Sequence, residues 1–265
     1  MKLTNLTMTL LAAVPLVAAG CPGDDTSSNE SSSGSTTDPM TSTSGATVVA
    51  TGSGTADDTA GMESTGEEPW PEFECDGVDG VFDGNILIES AADLAMLDGI
   101  SEVTRALVIN DTDLTDLDAL GCVTRVGEQL QIFGNDQLAN VDGLVNITEI
   151  GGDFIFTENP MVTDFDGAQS LTRVTGSFSM NKNDGMVQVS GFDSLVGIET
   201  HITIRDNAVL TNIDGLKGLM LVGGRLAITA NPMLCISSVD CVGAGITVPA
   251  VPGDDWTTQA NDPSC

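Results

Sequence analysis

The chain has 265 residues, 39 acids against 8 Lys and Arg, and a formal charge of −31. That length admits one or two domains. The charge disfavours nucleic acid and anionic membrane surfaces as partners, because both repel it.

The first segment, Met1 to Gly20, reads as an export signal. Lys2 gives a positive start, Leu10 to Ala19 is a short apolar run, and Ala18-Ala19-Gly20 is a small-residue cleavage context. The run is too short to span a bilayer, and nothing later approaches the roughly 20 apolar residues that a span needs. Cys21 follows. "LVAAGC" resembles a bacterial lipobox, whose cysteine is acylated and becomes the mature N-terminus, although Ala18 stands where Leu is favoured. The alternative is an ordinary secreted chain whose signal ends nearby. Acyl chains, at ~0.8 kcal/mol per buried methylene, would hold a soluble domain on a membrane. Pro22, where Asp is absent, implies by resemblance to Gram-negative lipoproteins an outer-membrane, cell-surface location.

Residues 21–72 form the second segment. From Pro22 to Glu72 it is dense in Ser, Thr, Gly and Asp, with ten acids and no bases. Such a composition cannot bury enough apolar surface to offset its ordering entropy, so a disordered linker is expected. As a flexible tether it would reach ~40 Å on average. A stalk is the expected role, a binding tail the alternative.

Residues 73–265 form the third segment, with 29 acids against seven bases. Its organising feature is a fixed period. Asn135, Asn159, Asn183, Asn207 and Asn231 follow one another at intervals of 24 residues, and Asp111 continues the column upstream. Apolar columns run in step: Leu114, Leu138, Val162, Met186, Leu210 and Leu234; Leu117, Val141, Phe165, Val189 and Ile213; Val123, Ile147, Leu171, Leu195 and Leu219; Val126, Ile150, Val174, Ile198, Val222 and Ile246. Before each Asn stand two alternating apolar residues, such as Phe154/Phe156 and Ile202/Ile204. That alternation is a strand signal. Each coil is therefore expected to hold a short strand, a turn at Asn, and a return path of tight turns or extended corners. One coil cannot bury its own apolar side, but stacked coils can, strand upon parallel strand about 4.8 Å apart. The segment holds seven such rungs and two caps. No stretch keeps a 3.6-residue period beyond a turn or two, so no long helix is expected.

"VGEQLQIFGNDQLANVDGLVNITEIGG" and "IGGDFIFTENPMVTDFDGAQSLTRV" resemble the receptor L-domain family, relatives of leucine-rich repeats. The resemblance covers about Gly84 to Leu234. It departs from leucine-rich repeats proper: the apolar residue before Gly-Gly precedes the first strand residue by four positions, not three. The resemblance implies a mainly β fold, a right-handed parallel β-solenoid with little helix, and a binding module, not an enzyme.

Four sets of residues could carry function or stability. The Asn column fits a structural turn ladder, since Asn tolerates tight-turn geometry and its amide can bond to the next coil; a sugar-gripping ladder is the sharper alternative. Asp98, Asp118, Asp142, Asp166 and Asp214 form an acidic column broken by Ser190. An Asp at a turn or short-helix start can accept from backbone N–H groups. Calcium is the alternative there, with "NDTDLTDLD" (Asn110 to Asp118) the best local candidate, although the spacing matches no known calcium loop. No other metal or cofactor is expected. The third set is the outward side of the main sheet. Lys182, Arg205 and Arg225, three of the seven bases, fall on or beside it with the sole histidine, His201, and with Thr203 and the apolar Phe133 and Ile155, which are expected to be exposed. This strip is the candidate binding face; relief of repulsion within an acidic molecule is the alternative. Fourth, Cys75, Cys122, Cys235, Cys241 and Cys265 remain after Cys21, and five cannot all pair among themselves. Cys75 with Cys122 could fasten the N-terminal cap, and Cys235 or Cys241 with Cys265 the last coil.

Three function classes follow. The first is a lipid-anchored, monomeric binding module for a surface protein or glycan. The second is a structural spacer or adhesin of the envelope. The third is a polysaccharide-active β-helix enzyme, for which no pair among Asp153, Glu158 and Asp206 stands out and no nucleophile motif is found.

Overall fold

The computed structural model of the chain describes residues 72–247 and 256–265. The export signal, Cys21 and all but the last residue of the acidic linker lie outside them. The described part is mainly β, and its strand pairings are all parallel.

The strands foreseen before each Asn stack in chain order into one sheet: Ile86–Ile88, Leu107–Asn110, Leu130–Phe133, Phe154–Thr157, Phe178–Asn181, Ile202–Arg205 and Leu226–Thr229. Trp256–Thr257 adds an eighth strand beyond the last of these. Register follows the repeat: Phe178 lies opposite Phe154 on one side and Ile202 on the other. Like therefore sits on like, and alternate residues such as Phe154, Phe156, Ile202 and Ile204 are fully buried. Each such burial is worth ~1.5–3 kcal/mol. In the middle coils the interior is aromatic. Phe165 and Phe192 stack at 4.8 Å, and Phe156 and Phe178 meet them edge-on at 4.9 and 5.1 Å.

The return path is more regular than its sequence suggests. The column Val126, Ile150, Val174, Ile198 and Val222 lies in a second parallel sheet of seven strands, from Gly80–Phe82 to Leu221–Val222. From Arg125–Val126 onward these strands are two residues long, too short to display alternation. A third, two-stranded sheet pairs Asp164–Phe165 with Gln188–Val189. Between them lie single 3-10 turns, Asp118–Leu120, Asp142–Leu144 and Asp214–Leu216. Here adjacent coils come closest. A Cβ on Gly167 would stand 2.0 Å from the Val141 carbonyl oxygen of the coil before it, so only glycine fits.

The Asn side chains run through the interior as a continuous amide ladder. The Oδ1 of each accepts the backbone N–H of the Asn one coil earlier: Asn135 to Asn159 at 3.2 Å, Asn159 to Asn183 at 3.0 Å, Asn183 to Asn207 at 2.9 Å, Asn207 to Asn231 at 3.1 Å. Each Nδ2 donates to a strand carbonyl, as Asn183 does to Phe156 at 3.1 Å. All five are fully buried, so every one of these bonds replaces water that is not there.

The upstream end differs from expectation. Thr112, not Asp111, closes the ladder, donating its N–H and Oγ1 to Asn135 Oδ1 at 3.1 and 2.7 Å. Leu107 pairs with Leu130, a step of one residue less than the usual period, so the column slips by one and Asp111 is left exposed at the turn. The downstream end is Asn261, whose Oδ1 accepts from Asn231 N–H at 3.2 Å.

Cys75 is bonded to Cys122 and Cys235 to Cys265. The second bond holds the C-terminal segment beside the last coil. An α-helix, Ile236–Gly245, lies there as well. It stands past the final Asn, where the period ends, and its C-cap, Ile246, packs into the core without forming a strand.

Candidate functional site

The outward side of the first sheet and the corner at its strand ends make one continuous surface. In-register pairing aligns the outward residues Leu87, Val108, Gln131, Ile155, Ser179, Thr203 and Ala227 in one row. A second row, one pleat on, holds Asn110, Phe133, Thr157, Asn181, Arg205 and Thr229. Phe133 and Ile155 are half-buried, not exposed as the sequence suggested, because the strands on either side cover their flanks. Arg205 is exposed, and Thr203 is half-buried beside Ser179 and Ala227. Polar side chains bond to one another along these rows: Gln131 Nε2 donates to Asn110 Oδ1 at 3.0 Å and Asn181 Nδ2 to Ser179 Oγ at 2.6 Å. Asn181 Oδ1 is a buried acceptor without a partner.

The bases do not form one cluster. Arg205 ends its strand, whereas Arg225 precedes the next strand and lies level with His201 at the strand start. The two arginines stand on opposite rims of the sheet, about four residues or ~13 Å apart along the strand direction. His201 faces the stack: its Nδ1 accepts the Arg225 N–H at 2.9 Å. Asp153 does the same for Ser177 at 2.6 Å, and Asn85 for Ala106 at 3.1 Å. At these three junctions the position before the strand couples one coil to the next, and the varied side chains that do so (Asn, Asp, His) hide this in the sequence.

Beyond the strand ends the chain turns through the left-handed region in six consecutive coils, from Asp111 to Ala230. Gly134 takes φ 69°, and Asp111, Glu158, Lys182, Asp206 and Ala230 take φ between 51° and 58°. Glycine is the least costly occupant of such a position, yet three consecutive coils place Glu158, Lys182 and Asp206 there. These three, with Asp136, Pro160 and Asp184, line an open groove of about 460 Å³. Lys182 Nζ donates to Glu158 Oε1 at 2.8 Å, and that bond raises the lysine pKa. Arg205 Nε is 3.8 Å from Asp206. Asp136, Pro160 and Asp184 were not foreseen as site residues. They follow the buried Asn by one position, and only the turn geometry brings them beside Glu158 and Lys182.

The acidic column lies on another side. Asp118, Asp142 and Asp214 do not cap backbone N–H groups with their side chains, contrary to expectation, because each is the first residue inside its 3-10 turn. The carboxylates accept side-chain donors instead: Asp142 from Asn140 Nδ2 at 2.8 Å and Asp214 from Ser238 Oγ at 2.6 Å. Asp98 follows a longer 3-10 segment, Ala91–Leu97. Burial, then repulsion from Asp164 and Asp142, pushes the Asp166 carboxyl up to about 6. Burial and the neighbours Asp116 and Asp142 likewise raise Asp118. Among the described residues no group of three or more His, Cys, Asp or Glu is arranged to hold a metal ion, and "NDTDLTDLD" is no exception.

No family model, curated protein or solved structure matches the chain. Its reading therefore rests on its own geometry. Two structural facts bear on its location. The disulfides belong to an oxidising environment, as met by exported proteins, and no helix among the described residues is long and apolar enough to cross a membrane.

Proposed function

We propose that the chain is an exported surface lipoprotein that presents a right-handed β-solenoid of receptor L-domain type as a binding module, without catalysis, for a surface protein or glycan. Acylation at Cys21 would hold it on the outer membrane of a Gram-negative cell, with residues 22–72 as the tether. The observation that carries the binding reading is the outward face of the first sheet. Seven coils paired in register set half-buried Phe133 and Ile155 and the hydroxyl of Thr203 on a face whose two rims bear Arg205 and Arg225. A surface fixed by stacked backbone loses little freedom when it binds. Lys182 and the carboxylates of the groove continue it with donors and acceptors suited to hydroxyl-rich ligands.

The test is a screen of glycans and surface proteins against the full chain, repeated with Arg205→Glu/Arg225→Glu. Capture of a partner should be lost in the double variant while Tm changes little, since both side chains are exposed. Capture that survives the reversal removes this face as the site.

One observation favours a second reading, polysaccharide hydrolysis: the groove gathers Asp136, Glu158, Asp184 and Asp206. Paired carboxylates are what glycoside hydrolysis needs. The same screen separates the two. Release of reducing ends, abolished by Glu158→Gln and Asp206→Asn, would replace the binding reading.

A further inference from the structure

The two ends of the stack are finished differently. Each end carries a disulfide, Cys75–Cys122 at one and Cys235–Cys265 at the other, but at the C-terminal end a helix and the added strand Trp256–Thr257 also follow the last coil. At the other end, among the described residues, each sheet stops at a strand with a single neighbour. Among the described residues, Ile86–Ile88 pairs only with the Leu107 strand and Gly80–Phe82 only with the Ile100 strand. An edge strand turns alternate N–H and C=O groups away from its single neighbour. The side chains agree. Val81 is 57% and Leu87 45% exposed, whereas Val108, the equivalent of Leu87 one coil on, is half-buried between its two neighbours. One more strand at this end would cover Leu87 as the next coil covers Val108.

The charge of this end selects what that strand can be. Residues 72–98 contain eight acids, Glu72, Glu74, Asp76, Asp79, Asp83, Glu89, Asp93 and Asp98, and no Lys or Arg. Asp79 and Asp83 bracket Gly80–Phe82, and Glu89 follows Ile86–Ile88; all three are exposed. Asp83 is also tied to Thr104 Oγ1 at 3.0 Å, which leaves Asp79 and Glu89 as the freest to test. Such a border repels a second copy of this acidic chain, which is one way natural sheets avoid pairing edge to edge. It attracts a segment of opposite sign.

The geometry points to this N-terminal edge as a docking site for an extended, basic polypeptide segment, alternating Lys or Arg with apolar residues, that adds to the sheet as a further strand. Added beside Ile86–Ile88, it would gain affinity from backbone hydrogen bonds, and its apolar residues would cover Leu87. The basic residues would meet Asp79, Asp83 and Glu89. This surface lies at one end of the stack, where the outward row begins at Leu87, four coils or more from Thr203, Arg205 and Arg225.

The test uses the full chain and a synthetic hexapeptide of alternating Lys and Val. Saturable binding is expected, with slowed amide exchange at residues 80–88. The Glu-Val counterpart should not bind. Methylation of alternate peptide nitrogens should weaken binding about tenfold or more, since it removes the strand hydrogen bonds. Asp79→Asn/Glu89→Gln should weaken it too, without altering the melting of the protein. Equal binding by the methylated peptide would mean ionic adhesion alone and overturn the proposal. So would exchange at residues 80–88 that the peptide leaves unchanged. Slow exchange there before any peptide is added would assign the edge to the chain's own upstream residues, which also overturns it.

Discussion

At the scale of single residues, the buried amides and the buried carboxyl make opposite demands. Asn183 accepts from Asn159 and donates to Phe156, so its side chain satisfies backbone groups that water cannot reach. Asn183→Ala strands an N–H and a C=O, each costing ~1–3 kcal/mol. Urea unfolding should show a loss of about 2–4 kcal/mol; an unchanged midpoint would mean that the ladder adds nothing to stability. Asp166 works the other way. Burial, with repulsion from Asp164 and Asp142, pushes its carboxyl up to about 6 in the folded chain, above the ordinary carboxylate range, so folding favours the protonated form. The destabilisation from its ionisation is absent below about 4, grows as the pH rises towards 6, and is complete above it. Asp166→Asn should therefore raise Tm at pH 7.5 and leave it nearly unchanged at pH 4. Equal gains at both pH values would locate the effect in packing, not charge. Ser190 and Ser238, each at a position of the same column, show how the chain interrupts that repulsion: Ser238 donates to Asp214, and Ser190 Oγ to Asp164 at 2.9 Å.

At the scale of elements, the sequence carries strands well where they are long and poorly where they are short. Phe154–Thr157 and its equivalents have two inward residues apiece, enough to show a period of two. The two-residue strands of the second sheet have one, so only their recurrence at the coil interval marks them, and recurrence says nothing of backbone shape. The groove was illegible for another reason. Asp136, Glu158 and Asp184 come together through a left-handed turn adopted by residues that seldom take it. The Asn column was legible because its burial demands one residue type, whereas the coupling position before the strand is filled by Asn85, Asp153 and His201 in only three coils and so leaves no column. The C-terminal cap is the element most exposed to test. Cys235→Ser/Cys265→Ser releases the segment that carries Asn261, the last rung. A loss of ~2–4 kcal/mol is expected. Faster amide exchange should be confined to residues 226–265, because each coil contacts chiefly its neighbours. Loosening of the whole stack would contradict that nearest-neighbour design.

At the scale of the whole molecule, acidity and rigidity divide the labour. Twenty-nine acids against seven bases set up like-charge repulsion between residues 73–265 and both further copies and anionic surfaces. Several of those bases are spent locally: Arg125 on Glu102 and Glu149, Arg173 on Glu199, Lys182 on Glu158. All three join carboxylates on adjacent coils and so fasten one rung to the next. What the sequence could not reveal is which charges remain for a partner, since that depends on side-chain neighbours across coils and not on columns.

The hydrogen bonds of the ladder and of both long sheets run from coil to coil, along the direction of stacking. A pull on the two ends of the stack would therefore load its junctions in series, not side by side. Under tension such a body yields at one seam and then the next, paying out length in steps of a single coil, so that a load meets graded give where a sheet pulled in shear would hold and then fail at once.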